Sequence, residues 1–269
     1  MVADAIGYDQ EMAICFGESD LATPFSSLSQ RARIVTEAWI AANAYCVACD
    51  SNRLLPTAAN TKARDFECEH AGHAYELKSS ASVHGRKIVD GAFRSMIDRI
   101  QNGSAPNLLL MHYGPNWRIN KLTVIHHLLL TETVIQKRKP LSVTARRAGW
   151  IGCNILLGDI PIEGKIEVIS DGQFLPKEDV RRRYALSESL GSISPTGRGW
   201  AALVLTELRS LGKQRFTLQD AYSMEPQLSA KYPANQNVRP KIRQQLQILR
   251  DLGLLRFESK GQYSFTIPN

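Results

Sequence analysis

Between Cys46 and Lys78 the chain interleaves two sets of potential ligands, and any fold it adopts has to gather both. The soft set is Cys46 and Cys49, then Cys68, then His70 and His73. The hard set is Asp65, followed by Glu76-Leu77-Lys78. Ala74–Lys78 alternates and is short, which predicts a strand. Residues two apart on a strand share a face, so Glu76 and Lys78 point one way and Leu77 the other, into a core. Arg64–Cys68 is the expected partner strand, and that pairing sets Asp65 beside Glu76. Two carboxylates at one point repel unless a cation lies between them, and oxygen ligands suit Mg²⁺. A nearby lysine can orient or deprotonate a water and offset charge on a phosphate. Metal-assisted phosphodiester hydrolysis needs these parts.

The spacing D-x10-E-x-K resembles the active-site signature of the PD-(D/E)xK nucleases, although the same letters also describe a solvated strand face. The soft set narrows the choice. C-x2-C followed by Cys68 and a nearby His70 or His73 is similar to a tetrahedral structural Zn²⁺ site. Such an ion would clip the loop between the two carboxylate strands. With all four positions taken by side chains it would leave none open for a reacting water.

The remaining bulk properties set limits. The 269 residues suit one large domain or two modest ones, and a 43% apolar content can fill a core. No apolar run approaches the length of a transmembrane helix, and the first residues have neither a basic segment nor an apolar one, so neither membrane insertion nor secretion is expected. Five cysteines with metal-type spacing fit a reducing cytoplasm. Charge is uneven: residues 181–269 hold fourteen Lys/Arg against six Asp/Glu, while the rest is nearly balanced. A basic C-terminal third points to a polyanionic partner.

Along the chain, residues 1–25 carry no clear pattern. From Ser29 the apolar stripe Ile34, Val35, Ala38, Trp39 and Ala42 predicts a helix, with Glu37 on its solvated face. Ser79–Asp90 reads as a loop, Gly91–Gln101 as a helix, Asn107–Tyr113 as a buried strand, and Ile119–Leu130 as holding another. Ile166–Ile169 with the Asp171-Gly172 turn reads as a final strand and hairpin edge. Pro140–Ile155 has a loop composition, with Arg146 and Arg147 beside Trp150, Cys153 and Asn154. Arginines fork onto phosphates and an aromatic ring offers a face to a base. The same composition also describes a turn around a buried Trp. Arg181–Arg183 and the Ser/Gly-rich 187–199 read as a linker.

After Gly199 the pattern is that of a winged helix. A first helix spans Trp200–Leu211, Phe216 makes a short bridge, Thr217 caps a second helix, and a third lies within Asn235–Leu252. Leu254–Glu258 and Gln262–Ile267 form a wing. The third helix carries Val238, Ile242, Leu246, Leu249 and Leu252 on one stripe. Lys241, Arg243, Gln244, Gln247 and Arg250 lie away from it, the side chains a major-groove helix uses.

Five blocks, SQRARIVTEAW, D…ELKS, RKPLSVTARRAGWIGCN, GRGW and KIRQQLQILRD, resemble the DpnI-type methyl-directed restriction endonucleases, over roughly residues 28–265. The resemblance implies an α/β chain, with a PD-(D/E)xK restriction-endonuclease-like mixed sheet and zinc-binding insertion over 1–195 and a small winged-helix domain over 196–269. It implies Mg²⁺-dependent double-strand cleavage of adenine-methylated DNA at G-A-T-C sites, with structural Zn²⁺. By motif position, Asp65, Glu76 and the Leu77 carbonyl are the implied Mg²⁺ ligands, Lys78 the catalytic lysine, and Trp150 the methyl-sensing residue. The chain departs from the family's second C-x2-C pair, because position 71 is Ala; His73 or His70 then has to complete the zinc site. A monomer is expected. The alternative is a zinc-stabilised winged-helix regulator with an inactive nuclease fold, against which the intact Asp65, Glu76 and Lys78 argue.

Overall fold

In the computed structural model, residues 26–58, 61 and 64–268 are described. The reading of residues 1–25, and Cys15 with them, falls outside those residues. The chain divides into two compact units that do not follow chain order.

The first unit takes residues up to His84, then Pro106–His127 and Lys165–Tyr184. Its helix α1 (Leu28–Asn43) buries Val35, Thr36, Trp39 and Ile40. The strands are β1 (Leu54–Pro56), β2 (Phe66–Cys68), β3 (Ala74–Ser80), β5 (Asn107–Tyr113), β6 (Ile119–Ile125), β9 (Lys165–Ser170) and β10 (Gln173–Phe174). They form one sheet in the order β1-β2-β3-β5-β6-β9-β10. Only β3 and β5 pair in parallel, so the sheet is mixed. Its core gathers Trp39, Ile40, Tyr45, Phe66, Tyr75, Leu109, Met111, Leu122, Val124 and Tyr184. The almost unbroken apolar run of β5 fits a strand with a neighbour on each side and both faces covered.

The second unit takes Gly85–Ala105, Leu128–Gly164 and the chain from Ala185 onward. A small antiparallel sheet, β4-β8-β7, joins β4 (Ile88–Ala92), β8 (Gly152–Ile155) and β7 (Ile135–Lys137), beside α2 (Phe93–Gln101). The loop composition of Pro140–Ile155 thus ends in a strand, and Ser79–Asp90 is strand at both ends. β4 and β8 are five and four residues long, and each pairs with the other from far along the chain.

The expected linker is also partly regular. Arg181–Arg183 lie within α3 (Lys177–Glu188). Glu178 and Asp179 suit its N-terminal turn, and the buried Val180 and Tyr184 share one face at an i, i+4 spacing. The next helix, α4 (Pro195–Ser210), begins earlier than its apolar stripe suggests, because Ser194 accepts a hydrogen bond from the Gly197 N–H at 3.2 Å and Pro195 takes the first turn. Beyond it lie β11 (Arg215–Thr217), α5 (Leu218–Tyr222), α6 (Glu225–Lys231), α7 (Val238–Asp251), β12 (Leu255–Ser259) and β13 (Gln262–Phe265). The last sheet runs β11-β13-β12. This is the winged-helix arrangement: helices around the buried stripe Val238, Ile242, Leu246 and Leu249, closed by a hairpin.

Candidate active site and metal centre

The pairing of β2 with β3 sets Phe66 opposite Tyr75 and Glu67 opposite Ala74. Continuing that register puts Asp65 opposite Glu76. The Asp65 N–H donates to the Tyr75 carbonyl at 2.9 Å, and the Leu77 N–H donates to the Asp65 Oδ2 at 2.7 Å. The carboxylate is therefore held by the backbone of the strand that carries Glu76. The Lys78 Nζ donates to the Glu76 Oε1 at 2.6 Å, and both side chains are mostly buried. Asp65, Glu76 and Lys78 thus converge on one face, as the alternation along β3 requires. The donors are carboxylate oxygens with an adjacent backbone carbonyl, a hard-oxygen set that fits Mg²⁺.

Two further residues stand near this face, and the sequence gives no pattern for either. Arg33 on α1 donates to the Glu37 Oε1 at 2.6 Å, and that hydrogen bond, with the Glu37 and Asp65 charges, raises its pKa. Glu37 is thereby engaged with Arg33. His84, just beyond β3, contacts the Met111 carbonyl at 3.2 Å through its Nε2 and also bonds the Lys78 main chain. A carbonyl only accepts, so this Nε2 carries the proton. Burial lowers the His84 pKa, against those backbone bonds.

A Cys/His cluster that could hold a metal ion forms at one end of the same hairpin. Cys46 and Cys49 follow α1, Cys68 ends β2, and His73 immediately precedes β3. Their four donor atoms lie within 4.8 Å of one another. Cys49 Sγ and Cys68 Sγ are 3.4 Å apart, and Cys46 Sγ is 3.6 Å from His73 Nδ1. An ion bonded to sulfur at about 2.3 Å has tetrahedral edges of about 3.8 Å, so three sulfurs and one imidazole at this spacing fit zinc. The turn between Cys68 and His73 is closed by the Gly72 N–H on the Cys68 carbonyl and by the Cys68 N–H on the His73 carbonyl. Gly72 has φ +66°, which a side chain would resist.

Electrostatics prepare the cluster unevenly. Burial pushes the Cys46 thiol up to about 12. Burial opposes ionisation of Cys68 too, yet the N–H groups of Ala71 and His70 and the neighbouring thiols bring it down to about 6. Arg181 braces the Cys46–Ser51 loop by donating to the Cys46 and Ser51 carbonyls at 3.3 and 3.1 Å. His70 lies outside the four: it is exposed, with Nδ1 3.5 Å from the Asp50 Oδ1. Cys153 is elsewhere, its thiol on the Gly91 carbonyl at 3.4 Å.

The second unit holds the other candidates. The Leu141 N–H donates to the Trp150 carbonyl at 2.9 Å and the Gly149 N–H to the Leu141 carbonyl at 3.1 Å, closing the loop between β7 and β8. Arg147 lies over the Trp150 ring, 5.0 Å from its centre, and Arg146 is exposed. A Cβ at Gly152 would come within 2.8 Å of the Trp150 ring, so glycine is what lets the indole lie against the β8 backbone. Asn154 donates to the Gln136 Oε1 at 2.9 Å. On α7, Arg243, Gln244, Gln247 and Arg250 are exposed, while Lys241 is half-buried and donates to Gln244 at 2.8 Å. Arg250 is engaged by Asp251.

A family model described as DpnI, the Dam-replacing family, matches residues 12–193, and a second, the Dam-replacing HTH domain, matches residues 196–264. The chain belongs to the Dam-replacing family. Membership makes it a restriction-type nuclease carrying a helix-turn-helix DNA-binding domain, and β11 to β13 with their helices are that domain. Among the described residues no helix is long and apolar enough to cross a membrane.

Proposed function

We propose that the chain is a type II methyl-directed restriction endonuclease, cutting both strands of DNA at G-A-T-C sites that contain N6-methyladenine. The observation that carries this reading is the convergence of Asp65, just before β2, with Glu76 and Lys78 on β3 within a Dam-replacing chain. Asp65, Glu76 and the Leu77 carbonyl would hold Mg²⁺, which when bound supplies a more acidic water and a counter-charge for the phosphate. Asp65 is positioned for this by the Leu77 N–H, which fixes one carboxylate oxygen and orients the other. Lys78, held beside Glu76, turns its ammonium to the attacked phosphate and offsets charge there as the water adds. The buried cluster of Cys46, Cys49, Cys68 and His73 would hold a structural Zn²⁺ that locks the hairpin on which Asp65 and Glu76 face each other.

Recognition is divided between two segments. On α7, Lys241, Arg243, Gln244, Gln247 and Arg250 read base edges and phosphates from the major groove. In the loop before β8, Arg146 and Arg147 bind phosphate and Trp150 covers the methyl group, while Asn154 adds a polar side chain from within β8. One methyl is worth only about 1 kcal/mol of burial, so the discrimination has to be made more than once per cleavage. We take residues 1–195 as the catalytic domain and 196–269 as the winged helix, acting as a monomer in the cytoplasm.

The test is cleavage of one plasmid prepared with and without adenine methylation, in Mg²⁺ and in EDTA, beside Asp65→Ala and Trp150→Ala. Cutting of the methylated plasmid alone, abolished by EDTA and Asp65→Ala and relaxed in specificity by Trp150→Ala, is expected. Equal cutting of both plasmids would remove the methyl assignment. Binding without cutting would leave a DNA-binding regulator with an inactive nuclease fold.

A further inference from the structure

The metal-binding hairpin presents two histidines, and only His73 reaches the buried cluster. His70 belongs to a different group: the donor atoms of Cys49, Asp50 and His70 also lie within 4.8 Å of one another. We propose that these three residues form a second site for a zinc-class divalent ion, adjoining the buried one and sharing Cys49 as a bridging thiolate.

Three observations carry this. The first is spacing. A zinc bonded to nitrogen and oxygen at about 2.0–2.1 Å sets tetrahedral edges of about 3.4 Å. The His70 Nδ1 and Asp50 Oδ1 stand 3.5 Å apart.

The second is donor chemistry. A thiolate, a carboxylate and an imidazole together suit zinc and its neighbours in the transition series rather than Mg²⁺ or Ca²⁺. The mixed set therefore separates this site from the all-oxygen one at Asp65 and Glu76.

The third is charge. Three thiolates and one carboxylate, with two neutral imidazoles, balance two divalent ions, whereas one ion leaves the combined set with two negative charges. A thiolate already bonded to one zinc keeps lone pairs that a second ion can use.

The two sites differ in exposure. Cys46 and Cys68 are buried, but Asp50 and His70 are 92% and 57% exposed. Three protein ligands leave the outer ion one position for water. The outer ion should therefore bind more weakly and exchange faster than the inner one, in a site that adds to the structural-ion reading of the buried cluster.

The experiment is a zinc titration of the full-length protein against a chromophoric zinc buffer, with bound metal counted by mass spectrometry after rapid desalting. Asp50→Ala and His70→Ala are measured in parallel, and ¹¹³Cd substitution reports the ligands of each ion. Two ions per wild-type chain are expected, the outer binding at least about 100-fold more weakly. Both variants should stop at one ion of unchanged affinity and lose only the cadmium resonance with fewer thiolates. The proposal falls if the wild type stops at one ion, or if both variants keep the second. It falls equally if His70→Ala removes the tightly held ion, since His70 would then be the fourth ligand of the buried cluster. Loss of all zinc binding in the wild type would instead sink the structural-ion reading itself.

Discussion

The Asp65 carboxylate is pinned by the backbone N–H of Leu77, at 2.7 Å, between the two residues with which it would share an active site. This bond makes the position of the carboxylate a property of the strand pairing rather than of the Asp65 rotamer alone. Asp65→Asn keeps an acceptor for the N–H and removes the charge. We expect Asp65→Asn to fold with a melting temperature close to the parent's and to lose about 100-fold or more in cleavage. Asp65→Ala should lose both activity and some stability. Thermal melts beside single-turnover cleavage separate the two effects, and a fully active Asp65→Asn would remove Asp65 from the chemistry.

Removing metal should loosen the hairpin before it affects anything else. Cys68→Ser and His73→Ala are each expected to lower zinc content and the melting temperature, because metal-binding free energy in such a site is also folding free energy. Cys153→Ser should leave zinc content unchanged, since its thiol is committed to the Gly91 carbonyl. Elemental analysis of the three purified variants decides it.

Glu163 and Arg209 form a fully buried ion pair in the second unit, with side chains 0% and 7% exposed. Arg209 also stacks on Phe265, 3.6 Å from the ring centre, and donates to the Ile267 carbonyl at 2.8 Å. Arg209→Met strands a buried carboxylate and should destabilise by about 3–5 kcal/mol. Glu163→Gln combined with Arg209→Met should recover much of that in denaturant unfolding. If the single variant costs no more than a surface pair would, burial of the pair is not what matters.

The second helix of the winged domain has an acid limit. The Lys213 ammonium, with the Thr217 N–H and hydroxyl, lowers the Asp220 pKa from 3.8 to about 2. Thr217 and Asp220 form a reciprocal capping box at the start of α5. The folded pKa is below the unfolded one, so the stabilisation is complete above about pH 4 and fades as pH falls toward 2. Thr217→Ala should cost about 1 kcal/mol at neutral pH. Asp220→Asn should flatten the acid limb of the stability curve; an unchanged limb would assign acid unfolding to other carboxylates.

Gln245 is wholly buried on α7, and among the described residues neither atom of its side-chain amide has a hydrogen-bond partner. A buried amide without partners costs about 1–3 kcal/mol. Gln245→Leu should therefore raise stability, by an amount near 1 kcal/mol, measured as a higher urea midpoint at constant slope. A lower midpoint would mean that water satisfies the amide.

Local pattern carried a large part of this architecture. The alternation Glu76-Leu77-Lys78 dictates which side chains share a strand face, and β3 obeys it. The Thr217 cap appears as read, and the stripe on α7 does so through Leu249, with Leu252 half-buried just past the helix end. Features made by distant partners were not legible in the same way. Strands β7 and β8 are three and four residues long, and nothing in Gly152–Ile155 alone marks a strand. Arg181 reads as one cation in a basic run, yet it caps two carbonyls of the Cys46–Ser51 loop.

The candidate metal ligands show the division most sharply. Residue types and spacing alone select a soft cluster and an oxygen cluster within one short stretch, because ligand chemistry depends on the atoms a side chain offers. The assignment of His73 to the cysteines and His70 to Asp50 is a matter of direction in space. The turn at Gly72, which needs a left-handed backbone, and the antiparallel register of β2 with β3 aim one imidazole inward and leave the other at the surface. Two histidines three residues apart are alike as letters; only the packed hairpin makes them different.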